Sequence, residues 1–220
     1  MQEAHPAIRK LLSAVLTVAT MSGVAALAAR AMVSAVMPAA IAILVAAAPA
    51  HAAEIEGVSV DDAVELDGAR LELNGAGMRT VYIVKAYVAA LYVPRRSSHA
   101  DVLLAQTGPR RLSLTMLADL SAEWVTARLV MAMRDNHPES ELAILGPRIE
   151  RLIDTLLTLG QTRKGERIDI DFVSGATRVS VDGHPLGPAI PGDELFTAIL
   201  RIFVGERPID AELKQAMLGG

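Results

Sequence analysis

The chain has 220 residues, of which 52% are hydrophobic and 21% charged, with a formal net charge of −4. That balance excludes a disordered segment and supplies no basic footprint for nucleic acid. The absence of cysteine excludes disulfides, a thiol nucleophile and thiolate-bound metal.

Residues 1–52 carry Arg9, Lys10 and Arg30 against one acid, Glu3, and contain two Ala/Val/Leu-rich stretches, the second ending at Ala50-His51-Ala52. A basic region, an apolar core and an A-x-A site predict a signal leader over residues 1–52, cleaved after Ala52, and hence an exported protein. Residues 11–29 are apolar enough for a second hydrophobic pass, so an uncleaved anchor is the alternative. Removal of the leader shifts the net charge to −6. Residues 53–220 form one domain, long enough to bury its own core and with no membrane span expected.

In that domain Asp67-Gly68, between the alternating runs AVEL and ARLEL, predicts a hairpin. The stretch from 73 to 96, LNGAGMRTVYIVKAYVAALYVPRR, is predicted as one long strand. Ser98 is expected to cap a short helix, HADVLLAQ, and RRLSLTML alternates as a half-buried strand. From Ser121 the period turns helical, with Trp124, Arg128 and Met131 on one side at i, i+4 and i+7. A second helix through PESELAILGPRIERLIDTLLTLG is expected to break at Gly146-Pro147. Strands return in ERIDIDF and ATRVSV, with turns at Ser174-Gly175 and Asp182-Gly183, and helices close the chain, one capped by Asp210. Strands, helices, strands and helices in that order predict an α+β domain with an antiparallel sheet and helices on one face.

Few residues carry chemistry. His99, His137 and His184 form no metal-ligand spacing, so no metal is expected. Asp169 and Asp171 alternate with Ile168, Ile170 and Phe172, which reads as the solvent face of a strand. The NGAG glycines lack the third glycine and the helix of a dinucleotide loop, and no G-x-S-x-G or phosphate-binding lysine loop is present. What stands out is Arg79, a cation at the start of an apolar run; a buried guanidinium requires an anion, either an internal carboxylate or a bound one. Lys85 is expected on the wet face of the sheet. In an unbroken strand Arg79, Lys85 and Tyr87 share a face and Tyr92 lies on the other, whereas a bulge or turn near Val84-Lys85 brings Arg79 and Tyr92 together.

The segments NGAGMRTVYIVKAYVAALYVP, PIDAELKQAMLGG and the helix beginning SAEW resemble the chalcone isomerase-like domain of exported bacterial proteins, over nearly all of residues 53–220. The resemblance implies an open-faced β-sandwich, a large antiparallel sheet with a layer of helices on one face and a ligand cleft between them, and a periplasmic location. In the plant isomerases a strand arginine works with a Tyr and an Asn seven residues apart on one helix and a Thr on a later one. The arginine corresponds to Arg79, but the other three positions fall on Trp124, Met131 and Ile202, which offer no equivalent donors. No catalytic residue is therefore assigned.

Fatty-acid-binding members of the family hold the carboxylate with the strand arginine and a tyrosine. The resemblance thus implies Arg79 with Tyr92, or Tyr87 if the register differs, over an apolar cleft lined by Trp124, Met131 and Ile202. The expected function is an exported, non-catalytic binder of a fatty acid or similar amphiphilic carboxylate, without cofactor. An isomerase or lyase acting on a phenolic or lipid substrate, and an envelope scaffold, stand beside it as other readings.

Overall fold

The computed structural model describes residues 53–220; the leader expected over residues 1–52 and its cleavage site lie outside the described residues. A short hairpin, β1 (Ala53–Ile55) and β2 (Val58–Val60), precedes the main sheet. That sheet contains β3 (Ala63–Leu66), β4 (Ala69–Val81), β5 (Val84–Val93), β6 (Arg110–Met116), β9 (Arg167–Val173), β10 (Ala176–Val181) and β11 (His184–Pro191). Its spatial order is β11-β10-β9-β6-β5-β4-β3, with every neighbour antiparallel. The helices are α1 (Ala100–Leu104), α2 (Ala122–Asn136), α3 (Glu139–Leu157), α4 (Asp193–Val204) and α5 (Ala211–Met217), and β7 (Leu120–Ser121) pairs with β8 (Gln161–Thr162). This is the expected α+β, open-faced sandwich.

The main core lies between the sheet and the helices. Alternation along β5 sends Tyr87, Ala89, Leu91 and Val93 toward the helices, while Val88, Ala90 and Tyr92 face the opposite side. Helix α4 is buried nearly all round, from Leu195 and Phe196 to Phe203 and Val204, and forms the centre of the helical layer. Among the described residues no helix is long and apolar enough to cross a membrane.

Of the two readings of residues 73–96, the unbroken strand fails and the bulge or turn near Val84-Lys85 is the one met: the segment is a hairpin. The chain turns at Tyr82-Ile83, and register shifts leave Asn74 and Ala86 as the extra residues of two bulges, so that Arg79 pairs with Tyr87. The break expected at Gly146-Pro147 is also absent, and α3 runs straight through Pro147. The carbonyl that Pro147 leaves without a donor belongs to Ala143, which is exposed, so water can serve it. Helix α1 starts one residue later than expected, with His99 rather than Ser98 at its cap.

Asp169 and Asp171 face away from the helices, as alternation predicts, but both are buried rather than solvated. The β1–β2 hairpin covers part of that face, and Arg111 clasps Asp171 through Nε and Nη2 at 2.6 and 2.7 Å while Ser113 donates to Asp169 at 2.6 Å. Burial pushes the Asp171 carboxyl up despite that arginine. The NGAG glycines have a packing role: a Cβ on Gly75 would lie 2.8 Å from the Met217 carbonyl carbon, and one on Gly77 2.7 Å from the Ala216 Cβ. Helix α5 therefore lies directly on β4, latched by the Asn74 amide, which donates to the Met217 carbonyl at 2.7 Å.

Candidate ligand cleft

The β4–β5 hairpin is what assembles the cleft. Because Arg79 and Tyr87 are register partners on the helix-facing side, the guanidinium and the phenol meet: Arg79 Nη1 donates to Tyr87 Oη at 3.1 Å. Arg79 is only 8% exposed. Seven ion pairs occur among the described residues, and none of them includes Arg79. The contrast with Arg110 is instructive. Arg110 is fully buried between the rings of Phe172 and Phe196, but its Nη2 pairs with Asp193. Arg79 has a hydroxyl and no carboxylate.

The space in front of Arg79 and Tyr87 is a slot between sheet and helices. Its floor is Leu114, Met116, Ile168 and Ile170, and its far wall is Ile199, Ile202 and Phe203 of α4. The near wall is α2, through Trp124, Val125, Arg128 and Leu129. Those four α2 side chains are half-buried, while the α4 wall is fully buried. Arg128 sits with its guanidinium carbon 5.3 Å from the Trp124 ring centroid, a cation–π contact at the rim. The enclosed space measures about 70 Å³.

Burial raises the Tyr87 phenol above its ordinary range, with Arg79 opposing and Asp210 reinforcing the shift. The phenol, neutral at pH 7 as any tyrosine is, can donate a hydrogen bond as well as accept one. Asp210 is itself engaged, accepting from the Leu213 backbone N–H at 3.0 Å as the cap of α5.

Of the residues singled out in the sequence, Arg79, Tyr87, Trp124 and Ile202 line the slot and two do not. Tyr92 lies across the sheet with Val88 and Ala90, because five residues separate it from Tyr87 and an odd offset reverses the face. There burial, together with Asp61 and Asp169, pushes its phenol up to about 12. Met131 is 55% exposed. The helix buries Ala122, Thr126 and Met133, and Met131 is about two and a half turns beyond Ala122, on the opposite side. Arg128 is the lining residue that sequence reasoning did not select, although its place one turn after Trp124 already put the two together.

Lys85 is exposed, as expected, and pairs with Glu56 at 2.6 Å. No group of acidic and histidine side chains suited to a metal occurs among the described residues. A wider groove of about 700 Å³ opens between the ends of α2 and α4, but it faces solvent and carries mixed charges, among them Arg134, Asp135, Glu206 and Lys214. It has no apolar wall comparable with the slot.

The sequence profile of the family described as chalcone isomerase-like matches residues 52–219. A solved structure with the same fold is that of a fatty-acid binding protein from Arabidopsis thaliana, with 13% sequence identity, a TM-score of 0.58, and coverage of 74% of this chain and 92% of that one. The search of curated proteins returned no match.

Proposed function

The chain belongs to the chalcone isomerase-like family, and from that premise we propose that it is a non-catalytic, exported binder of a fatty acid or similar amphiphilic carboxylate. The observation that carries the reading is a buried arginine with no carboxylate partner among the described residues, at the end of an apolar slot. An isolated buried cation is costly, and an incoming carboxylate removes that cost by forming charge-assisted hydrogen bonds. Tyr87, a neutral phenol, donates to the second carboxylate oxygen, and Arg128 adds a cation at the rim. The fatty-acid binding named for the Arabidopsis neighbour supports the same ligand class.

The slot's other lining residues are apolar, with no carboxylate, histidine, lysine or serine among them. That composition favours holding an acid over transforming one. A long chain needs more room than about 70 Å³, since sites that enclose a small molecule run to about 300 Å³ or more. Entry of the tail therefore requires the half-buried α2 wall to move, and Trp124 with it.

Mass spectrometry of the protein extracted under native conditions, followed by release of its small molecules, tests the proposal. A co-purifying carboxylic acid with an apolar tail is the expected result. An aromatic ligand without an acid group, or a protein that binds no added acid, would sink it.

A further inference from the structure

Among the described residues, five two-residue turns join paired consecutive strands: Glu56-Gly57, Asp67-Gly68, Tyr82-Ile83, Ser174-Gly175 and Asp182-Gly183. Four share one design, a polar residue with positive φ followed by a glycine with φ between 77° and 80°. Tight hairpin turns favour this chemistry, because glycine adopts positive φ without steric cost and short polar side chains tolerate it. The β4–β5 turn breaks the rule. Tyr82 has a φ of 55° with no glycine after it, a conformation that a bulky side chain rarely adopts. Its two residues are also the most exposed large apolar side chains described, Tyr82 at 90% and Ile83 at 94%, with Val84 behind them at 45%. Turn formation accounts for neither residue.

The position of this turn gives it a use. Only the pairs Val81↔Val84 and Thr80↔Lys85 separate it from Arg79↔Tyr87, the polar end of the slot. At about 3.3 Å per residue the tip is on the order of 10 Å along the strand from the Arg79 backbone. Tyrosine is suited to a membrane boundary, with its ring among apolar groups and its hydroxyl in water, and isoleucine is suited to the layer below. Lys85, two residues behind Ile83 and paired with Glu56 at 2.6 Å, places a polar ion pair at headgroup level just behind the apolar tip.

We infer that the Tyr82-Ile83 tip dips into the surface of a lipid bilayer and brings the Arg79–Tyr87 end of the slot to the membrane, so that an amphiphile passes between bilayer and protein without crossing water. Two side chains give a shallow, reversible contact, which suits delivery and release. The purpose of the contact rests on the lipid-binding reading above, but its detection does not.

The lack of native cysteine allows a single reporter in the full chain. Ile83→Cys carrying an environment-sensitive nitrobenzoxadiazole is compared with Ser174→Cys carrying the same label, at a turn on the opposite end of the strands. With phosphatidylcholine vesicles, the label at 83 should brighten and shift to the blue while the label at 174 stays unchanged. Equal responses at the two sites, or none at 83, would overturn the inference. A second arm uses Tyr82→Ser combined with Ile83→Gly, which copies the Ser174-Gly175 turn and so preserves the hairpin. This variant should transfer a fluorescent fatty-acid analogue to vesicles at least about tenfold more slowly than wild type, given the apolar area withdrawn from the bilayer. Its affinity for the analogue in vesicle-free solution should be unchanged. Equal transfer rates would count against the inference. If the analogue binds neither protein, the lipid-binding reading fails, while the label at 83 still reports whether the tip enters the bilayer.

Discussion

Replacing Arg79 with methionine separates a ligand clamp from an internal salt bridge, because the two predict opposite outcomes for stability. In the unliganded protein the substitution removes a buried charge that has no anionic partner among the described residues, a relief worth up to several kcal/mol. It also leaves the buried Tyr87 hydroxyl without its donor, at a cost of about 1–3 kcal/mol. The terms oppose each other, so Arg79→Met should unfold in urea within about 1 kcal/mol of wild type, or above it. An arginine in a buried ion pair would instead cost about 3–5 kcal/mol on removal. Binding should respond in the other direction. A charge-assisted hydrogen bond contributes about 1.5–3 kcal/mol, so affinity for a long-chain acid should fall between about tenfold and over a hundredfold. Urea denaturation of delipidated protein and calorimetric titration with the acid supply both numbers. A stability loss of about 3 kcal/mol or more with unchanged affinity would refute the clamp.

Tyr87→Phe should weaken acid binding by about ten- to over a hundredfold, the value of one donor to a carboxylate, whereas Tyr92→Phe should leave affinity unchanged because Tyr92 lies across the sheet; parallel titrations compare them. The Tyr92 phenol is raised in the fold from 10.0 to about 12, so its contribution to stability is complete below the unfolded value and is lost as pH rises toward the folded one. Tyr92→Phe should therefore flatten the decline of stability over that alkaline window, measured by urea unfolding at stepped pH. Gly75→Ala should destabilise by about 1–3 kcal/mol, because its methyl would overlap the backbone of α5, and its thermal midpoint should drop accordingly. Amino-terminal sequencing of protein from an envelope fraction should begin at Ala53, and a start upstream of Met32 in a membrane pellet would argue for an anchor.

Arg79 was legible in the sequence because a cation stands out at the start of a hydrophobic run. Its partner was not. The turn at Tyr82-Ile83 has none of the Gly, Asn, Asp or Pro that marks a reversal, so residues 73–96 read as one strand. Two bulges then set the register, and only the register decides which tyrosine meets Arg79. Of the other four hairpins, those at Asp67-Gly68, Ser174-Gly175 and Asp182-Gly183 follow from their glycine turns, whereas the one at Glu56-Gly57 joins strands of only three residues, too short to show a pattern. Alternation along ERIDIDF correctly assigned Asp169 and Asp171 to the outer face. It could not show that β1–β2 covers that face or that Arg111 lies one strand away, since both depend on tertiary pairing. Likewise Met131 shares a sequence stripe with Trp124, but the side of α2 that meets the sheet is set by what packs beneath it. Pro147 in α3 shows the opposite failure, a strong local signal outweighed where solvent can satisfy the freed carbonyl.

Trp124 is the only tryptophan of the chain and stands in the wall that must move to admit a tail, so its fluorescence reports directly on the central claim. Delipidated protein should be titrated with a saturated long-chain acid and, in parallel, with the methyl ester of the same acid, which keeps the tail and removes the charge. The account predicts that the acid changes Trp124 emission and saturates at a concentration about ten- to over a hundredfold lower than the ester. Acid and ester binding with equal affinity, or an emission that neither ligand changes, would contradict it.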